Sequence, residues 1–256
     1  MDVYWLEQTE ADLPADNRWL STGETLLLSG MQFPKRRTDW RLGRWTAKRA
    51  LAARLDLPGD VRSLANIEIR NASSGEPEVF LLNQRADATI SLSHRAGIAL
   101  CTIALSASSL GCDLEMIEPH SDAFVTDYFT VREQELVVQA SMEQRPLLMA
   151  LIWSAKESAL KALHVGLRLD TNCMDVSFGD RLPLPGGECG NDACPATPLS
   201  VEPETWSPLR IRYSGAQIFR GWWRRAGHMV RTVVSPLPLR PPVHLVLPTE
   251  SLSSTG

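Results

Sequence analysis

The chain has 256 residues, of which 44% are hydrophobic and 22% charged, and its formal net charge is -4. That length can bury a sizeable core in one large or two small domains, and the acidic balance argues against general nucleic-acid binding, which rests on a basic surface. No apolar run approaches the ~20 residues that cross a bilayer, and Glu7, Glu10, Asp12 and Asp16 interrupt the region where a leader would be apolar, so a cytoplasmic protein without a membrane partner is expected.

In chain order, residues 2–6 read as a first strand followed by an acidic loop. Thr22 to Leu28 reads as a helix, with Ser21 or Thr22 as cap and Glu24 in its first turn. A longer helix is expected from about Asp39 to Leu55, because Leu42, Trp45, Ala52 and Leu55 recur at helical steps; Pro58-Gly59 stops it. Arg37, Arg41, Arg44 and Lys48 form a basic stripe along another face, with Lys35 and Arg36 just before it. Scattered Lys and Arg are by default a solvated face, but this concentration in an acidic protein suits an anionic ligand.

A meander of short strands follows: Ile67–Ile69, Val79–Leu81, Thr89–Leu92 running into Ser93-His94, Ile98–Leu105, and Leu110–Met116. Thr130 with Glu133 has the form of a capping box opening a helix, and Pro146 opens another that runs through Trp153 to about His164, with Gly166 ending it. Met174–Phe178, Leu209–Tyr213 and Met229–Val234 read as strands, with Gly221-Trp222-Trp223 between the last two. Residues 180–205 read as a long Pro- and Gly-rich surface loop, and the chain after Ser235 as a Pro/Ser-rich, poorly ordered tail. No repeat stands out by sequence identity, although the order of elements hints at two related halves. Cys189 and Cys194 lack a second Cys or His pair nearby, so the five cysteines read as reduced thiols rather than as a zinc knuckle.

Two stretches carry chemistry. In Gly111-Cys112-Asp113-Leu114-Glu115 the strand period of two turns both carboxylates to one face, where they repel unless a cation sits between them. In Trp153-Ser154-Ala155-Lys156-Glu157-Ser158-Ala159-Leu160-Lys161, residues 153, 157 and 161 lie along one helical face. Three carboxylates on a strand and a helix match what Mg²⁺ requires, hard oxygen ligands with room for substrate phosphate. Taken singly, the acidic strand end reads as facing water, Glu157 with Lys161 as an i,i+4 pair, and His94 as a hydrogen-bonded loop histidine.

In this order the fragments Ser93-His94, Gly-x-Asp-x-Glu and Trp-Ser-x-Lys-Glu-Ser-x-x-Lys resemble the 4′-phosphopantetheinyl transferases of the longer monomeric (Sfp-like) type, over residues 30–178. The resemblance implies an α+β fold of two similar α/β halves related by a pseudo-twofold, each a small antiparallel-rich sheet packed against a long helix. Residues 1–108 would form the N-terminal half, 109–236 the C-terminal half, and 237–256 the tail. The implied activity is transfer of 4′-phosphopantetheine from coenzyme A to a serine of an apo acyl, polyketide or peptidyl carrier protein, releasing adenosine 3′,5′-bisphosphate. Asp113, Glu115 and Glu157 would hold Mg²⁺, Glu157 would be the general base, and Lys161, with Lys156, would bind the diphosphate. Ser93 and His94 would contact the 3′-phosphate of coenzyme A, assisted by Arg36, Arg37, Arg44 and Lys48. Carrier recognition would fall near helix 129–140 and the residues following Asp113-Leu114-Glu115, with the Arg-containing edges (Arg132, Arg145) as candidates. The family's Gly-Lys-Pro stands here as Gly75-Glu76-Pro77, so one coenzyme A contact is altered. The alternatives weighed are a Mg-dependent nucleotide phosphohydrolase and a non-catalytic coenzyme A- or carrier-binding protein.

Overall fold

The computed structural model describes residues 1–105, 109–165, 169–178, 205–214 and 217–247. They fall into two compact units. One comprises Asp2–Ala107 with Val243–Gly256, the other Met1 with Ser108–Pro242. Residues 180–204 of the expected 180–205 loop, with Cys189 and Cys194, and the helix stop at Gly166 lie outside the described residues.

In the first unit, β1 (Tyr4–Thr9), β2 (Ile67–Asn71), β3 (Pro77–Leu81), β4 (Gln84–Arg95), β5 (Ile98–Ala104) and β11 (Val243–His244) form a sheet ordered β11-β1-β5-β4-β3-β2. All pairings are antiparallel except that of β11 with β1. The helices are α1 (Thr22–Ser29), α2 (Pro34–Arg54) and α3 (Val61–Ala65). α2 begins earlier than its apolar period indicates, because Pro34 carries the φ of a first helical residue and has no N–H to leave unsatisfied. Its buried Trp45, Ala47, Ala50 and Leu51 pack into one core with Leu6, Trp19, Ile67, Ile69, Ile90 and Ile103.

The second unit holds β6 (Gly111–Met116), β7 (Met174–Phe178), β8 (Ser207–Tyr213), β9 (Ile218–Ala226) and β10 (Met229–Ser235), an antiparallel sheet ordered β6-β10-β9-β8-β7. Its helices are α4 (Asp122–Tyr128), α5 (Val131–Gln139) and α6 (Arg145–Ala162). α6 lays Ile152, Ala155, Ala159 and Leu160 into a core with Phe129, Val176, Leu209, Ile211, Phe219 and Val234. Small residues at 155 and 159 let helix and sheet approach closely. The closest approach is at Gly111, where an added Cβ would lie 1.8 Å from the Ser158 carbonyl oxygen.

The architecture is therefore α+β, with an antiparallel-rich sheet packed against a long helix in each unit. Two readings of the sequence are corrected, and one element is added. The stretch around Gly221-Trp222-Trp223 is a full strand, β9, turning into β10 through Gly227-His228, with Gly227 at φ +58°. Residues 122–128 form a helix, started by Ser121 accepting a bond from the Phe124 N–H. Finally, Val243–His244, assigned to a poorly ordered tail, pairs with β1, and Leu245 is 8% exposed in the first unit's core. Alternation of Val243, Leu245 and Leu247 was the available signal, obscured by the preceding prolines.

Candidate active site

The site in the second unit is organised by a helix-capping device. Thr130 caps α5: its hydroxyl accepts from Glu133 N (3.3 Å) while Glu133 Oε2 accepts from Thr130 N (2.8 Å). The same Glu133 carboxylate accepts from the N–H of Val176 on β7 (2.8 Å) and stands 2.6 Å from Lys156 Nζ, both side chains fully buried. Lys156 donates onward to the carbonyls of Tyr128 (2.8 Å) and Thr171 (3.0 Å). Burial raises the Glu133 carboxyl and lowers the Lys156 ammonium, and each partner's charge opposes the shift. The pair thus pins α6 to α5 and β7. Lys156, expected to bind the diphosphate, is instead a core residue with no exposed surface.

With α6 fixed, Trp153, Glu157 and Lys161 project along its other side. Tyr128 and Phe124 pack edge-on to Trp153 at centroid distances of 5.0 and 5.1 Å, forming an aromatic wall one turn before Glu157. Gly111 lets β6 sit against α6, which carries Asp113 to Lys161. Lys161 Nζ donates to Asp113 Oδ1 (2.7 Å) and to the Cys112 carbonyl (3.0 Å). Burial alone would push the Lys161 ammonium down; the charges of Asp113, Cys112 and Glu157 hold it above its ordinary value. Glu157 is shifted up, first by burial and then by the negative charge of Asp113, with Lys161 opposing. Asp113 and Glu157 are therefore close enough to repel. Glu115 lies two residues from Asp113 on the same face of β6, opposite Val230 of β10.

This donor set has the chemistry Mg²⁺ selects, hard carboxylate oxygens whose mutual repulsion a divalent cation relieves. The side chains are not gathered into a ready cage, however. Among the described residues no group of three or more His, Cys, Asp or Glu stands in metal-holding proximity, and a lysine ammonium lies against Asp113.

The first unit holds the expected anion-binding residues, and it repeats the same device. Ser21 caps α1 in a box with Glu24. Glu24 accepts from the N–H of Ile69 on β2 (3.1 Å) and pairs with Lys48 on α2 (2.5 Å), and Lys48 donates to the Trp19 carbonyl (2.9 Å). Lys48, like Lys156, has no exposed surface, so it leaves the set of expected coenzyme A contacts. Arg44 is 7% exposed, stacked over Trp40 and bonded to Asn71 Oδ1 (3.2 Å). Arg37 donates to the carbonyls of Leu28 (2.7 Å) and Met31 (3.0 Å), ordering the turn between α1 and α2, while Arg36 is exposed. At the end of β4, Ser93 is buried and His94 exposed, opposite Leu100 and Ala99 of β5. The structural acids Glu24 and Glu133 were not singled out as partners of the lysines. The available signal was the repeated Trp-x-Ala-Lys, residues 45–48 and 153–156, each downstream of a capping box.

The model of the 4′-phosphopantetheinyl transferase superfamily matches residues 109–194. No curated protein sequence matches the chain. Among solved structures, the chain is similar to a holo-(acyl-carrier-protein) synthase from Bacillus anthracis in complex with CoA (3′,5′-ADP), at 21% identity over 42% of this chain and 96% of that one, with a TM-score of 0.36. It is also similar to the Helicobacter pylori holo-[acyl-carrier-protein] synthase in complex with coenzyme A, at 20% identity over 41% and 99%, with a TM-score of 0.32. A third is the Thermotoga maritima holo-[acyl-carrier-protein] synthase, at 21% identity over 49% and 72%, with a TM-score of 0.33. The stretch of this chain that carries Asp113, Glu115, Glu157 and Lys161 thus bears the sequence signature of the 4′-phosphopantetheinyl transferase superfamily.

Proposed function

We propose that the protein transfers the 4′-phosphopantetheine group of coenzyme A to a serine of an apo carrier protein and releases adenosine 3′,5′-bisphosphate. The observation that carries this reading is the coupled set Asp113–Glu157–Lys161, built on β6 and α6 within the segment that matches the superfamily model. Two copies of one helix-capping module in a single chain support the longer, Sfp-like, monomeric type over a single-module one.

In this reading Asp113, Glu115 and Glu157 would hold Mg²⁺, which when bound would offset charge on the coenzyme A phosphates and on the leaving bisphosphate. Glu157 takes the proton of the carrier serine, directly or through one water, as the serine oxygen forms its bond to phosphorus and the bond to the bisphosphate oxygen breaks. Lys161, held against Asp113, supplies positive charge to the departing phosphate. Ser93, His94, Arg36, Arg37 and Arg44 are the proposed contacts of the adenosine 3′-phosphate. The carrier is proposed to dock at α5, which leaves Val131 and Val138 exposed at 72% and 70% beside Arg132. Arg145 is engaged in capping α5 through the Val138 and Ala140 carbonyls.

The test is incubation with a fluorescent coenzyme A and a panel of apo acyl, polyketide and peptidyl carriers, with and without Mg²⁺. Label is expected on at least one carrier serine, only with Mg²⁺. Glu157→Gln is expected to lower the rate by about 10²–10⁴-fold with coenzyme A binding retained. Labelling of no carrier, with phosphopantetheine released to water, would instead establish a hydrolase.

A further inference from the structure

The sheet of the second unit has two faces. Leu209, Ile211 and Phe219 are buried in the core shared with α6, so strand alternation turns Arg210, Arg212 and Arg220 to the face away from that helix. Asp113 belongs to the α6 side: its ladder partner Thr232 hydrogen-bonds Ser154 of α6 through its hydroxyl. Whatever the arginine face does is thus separate from the acids on β6 and α6.

Arg210 and Arg220 are direct partners in the β8–β9 ladder, and both are exposed. Like charges directly opposite on one sheet face are unfavourable. Both line a cavity of about 400 Å³, together with Ser177, Phe178, Trp222 and Leu239, and no acidic side chain among the described residues lines it. Asp175, on the adjacent strand, pairs with Arg132. Trp222 is fixed in the wall, its indole N–H donating to the Leu239 carbonyl at 3.1 Å. The volume lies within the range of small-molecule pockets. Two guanidinium forks side by side match phosphate oxygens in a way that point charges do not. An immobilised indole offers a flat apolar surface beside them.

We propose that this cavity is a second ligand site for a small phosphomonoester with a flat apolar body. Its phosphate lies between Arg210 and Arg220 and its body lies against Trp222. The site is independent of the transferase reading, since it uses none of that reading's residues.

Calorimetric titration of the full chain at low salt tests it, with phenyl phosphate as probe and inorganic phosphate as the comparison. Phenyl phosphate is expected to bind more tightly than inorganic phosphate. The Arg210→Gln/Arg220→Gln double variant is expected to bind phenyl phosphate at least about tenfold more weakly with a thermal midpoint no lower than wild type. Trp222→Leu should bring phenyl phosphate down to the affinity of inorganic phosphate. No saturable binding to about 10 mM, or equal binding by wild type and the double variant, overturns the site. Equal affinity for the two probes on the wild type overturns the assigned ligand class.

Discussion

At the scale of single residues, Lys161 and Glu157 show how an acidic site folds without a divalent cation. Asp113 is buried with a like charge nearby, and the Lys161 ammonium at 2.7 Å is the positive charge that stabilises it. On the proposed function, Mg²⁺ would therefore compete with an internal cation. Lys161→Met is expected to tighten Mg²⁺ binding several-fold, up to about tenfold, by calorimetry without substrate, while transfer falls. Weaker binding would mean that Lys161 holds Asp113 in place rather than competing for it. Glu157 has a consequence for stability. Its folded pKa is raised, so above the ordinary glutamate value, about 4.3, the unfolded chain releases a proton that the folded chain retains. That loss is absent below the ordinary value and grows as pH rises through the folded pKa. In denaturant melts without Mg²⁺, Glu157→Gln should therefore match wild type in acid and exceed it at neutral pH. A variant less stable than wild type at neutral pH would contradict this.

At the scale of elements, both units rest on one arrangement: a capping-box glutamate that also receives a strand N–H and a lysine from the long helix. The spacing is nearly the same, Lys48 following Glu24 by 24 residues and Lys156 following Glu133 by 23. In each copy the lysine also bonds the carbonyl two residues before the cap, that of Trp19 or Tyr128. A buried pair of this kind holds elements in register, and removing one partner strands the other charge. Lys156→Met should destabilise by about 3–5 kcal/mol in urea denaturation, and Glu133→Leu added to it should recover part of that loss. Unchanged stability of Lys156→Met with a raised KM for coenzyme A would return Lys156 to the binding set. The copies diverge one residue beyond the lysine, where Glu157 on α6 corresponds to Arg49 on α2, which stacks over Trp45. One module thus positions a carboxylate and the other a cation.

At the scale of the whole molecule, the chain returns after Pro242 to complete the first unit's sheet. Val243 and Leu245 donate to the Val3 and Trp5 carbonyls at 2.9 and 2.8 Å, and His244 packs edge-on to Trp5. Leu245→Ala should cost about 2–5 kcal/mol by urea denaturation, as expected of a buried leucine and unlike a tail residue. No measurable change would restore the reading of this stretch as a tail.

The sequence alone determined most elements and the motifs that carry the proposed reacting groups. Apolar periodicity, a cap at Ser21 or Thr22 with Glu24 in the first turn, the box Thr130–Glu133, and Gly-x-Asp-x-Glu are local signals, written within a few residues by backbone sterics and hydrogen-bond needs. It did not separate lysines that meet solvent from lysines that do not: Lys48, Lys156 and Lys161 are alike in composition and helical setting. Their roles depend on partners 24, 23 and 48 residues away, Glu24, Glu133 and Asp113. Burial of a charge is decided by what packs over it, which is a property of the tertiary fold. The same holds for β11, whose pairing with β1 joins the two ends of the described chain. Gly111 shows the division within one residue. The motif announced the glycine, and only the 1.8 Å that a Cβ would leave to the Ser158 carbonyl explains why β6 needs it to bring Asp113 to α6.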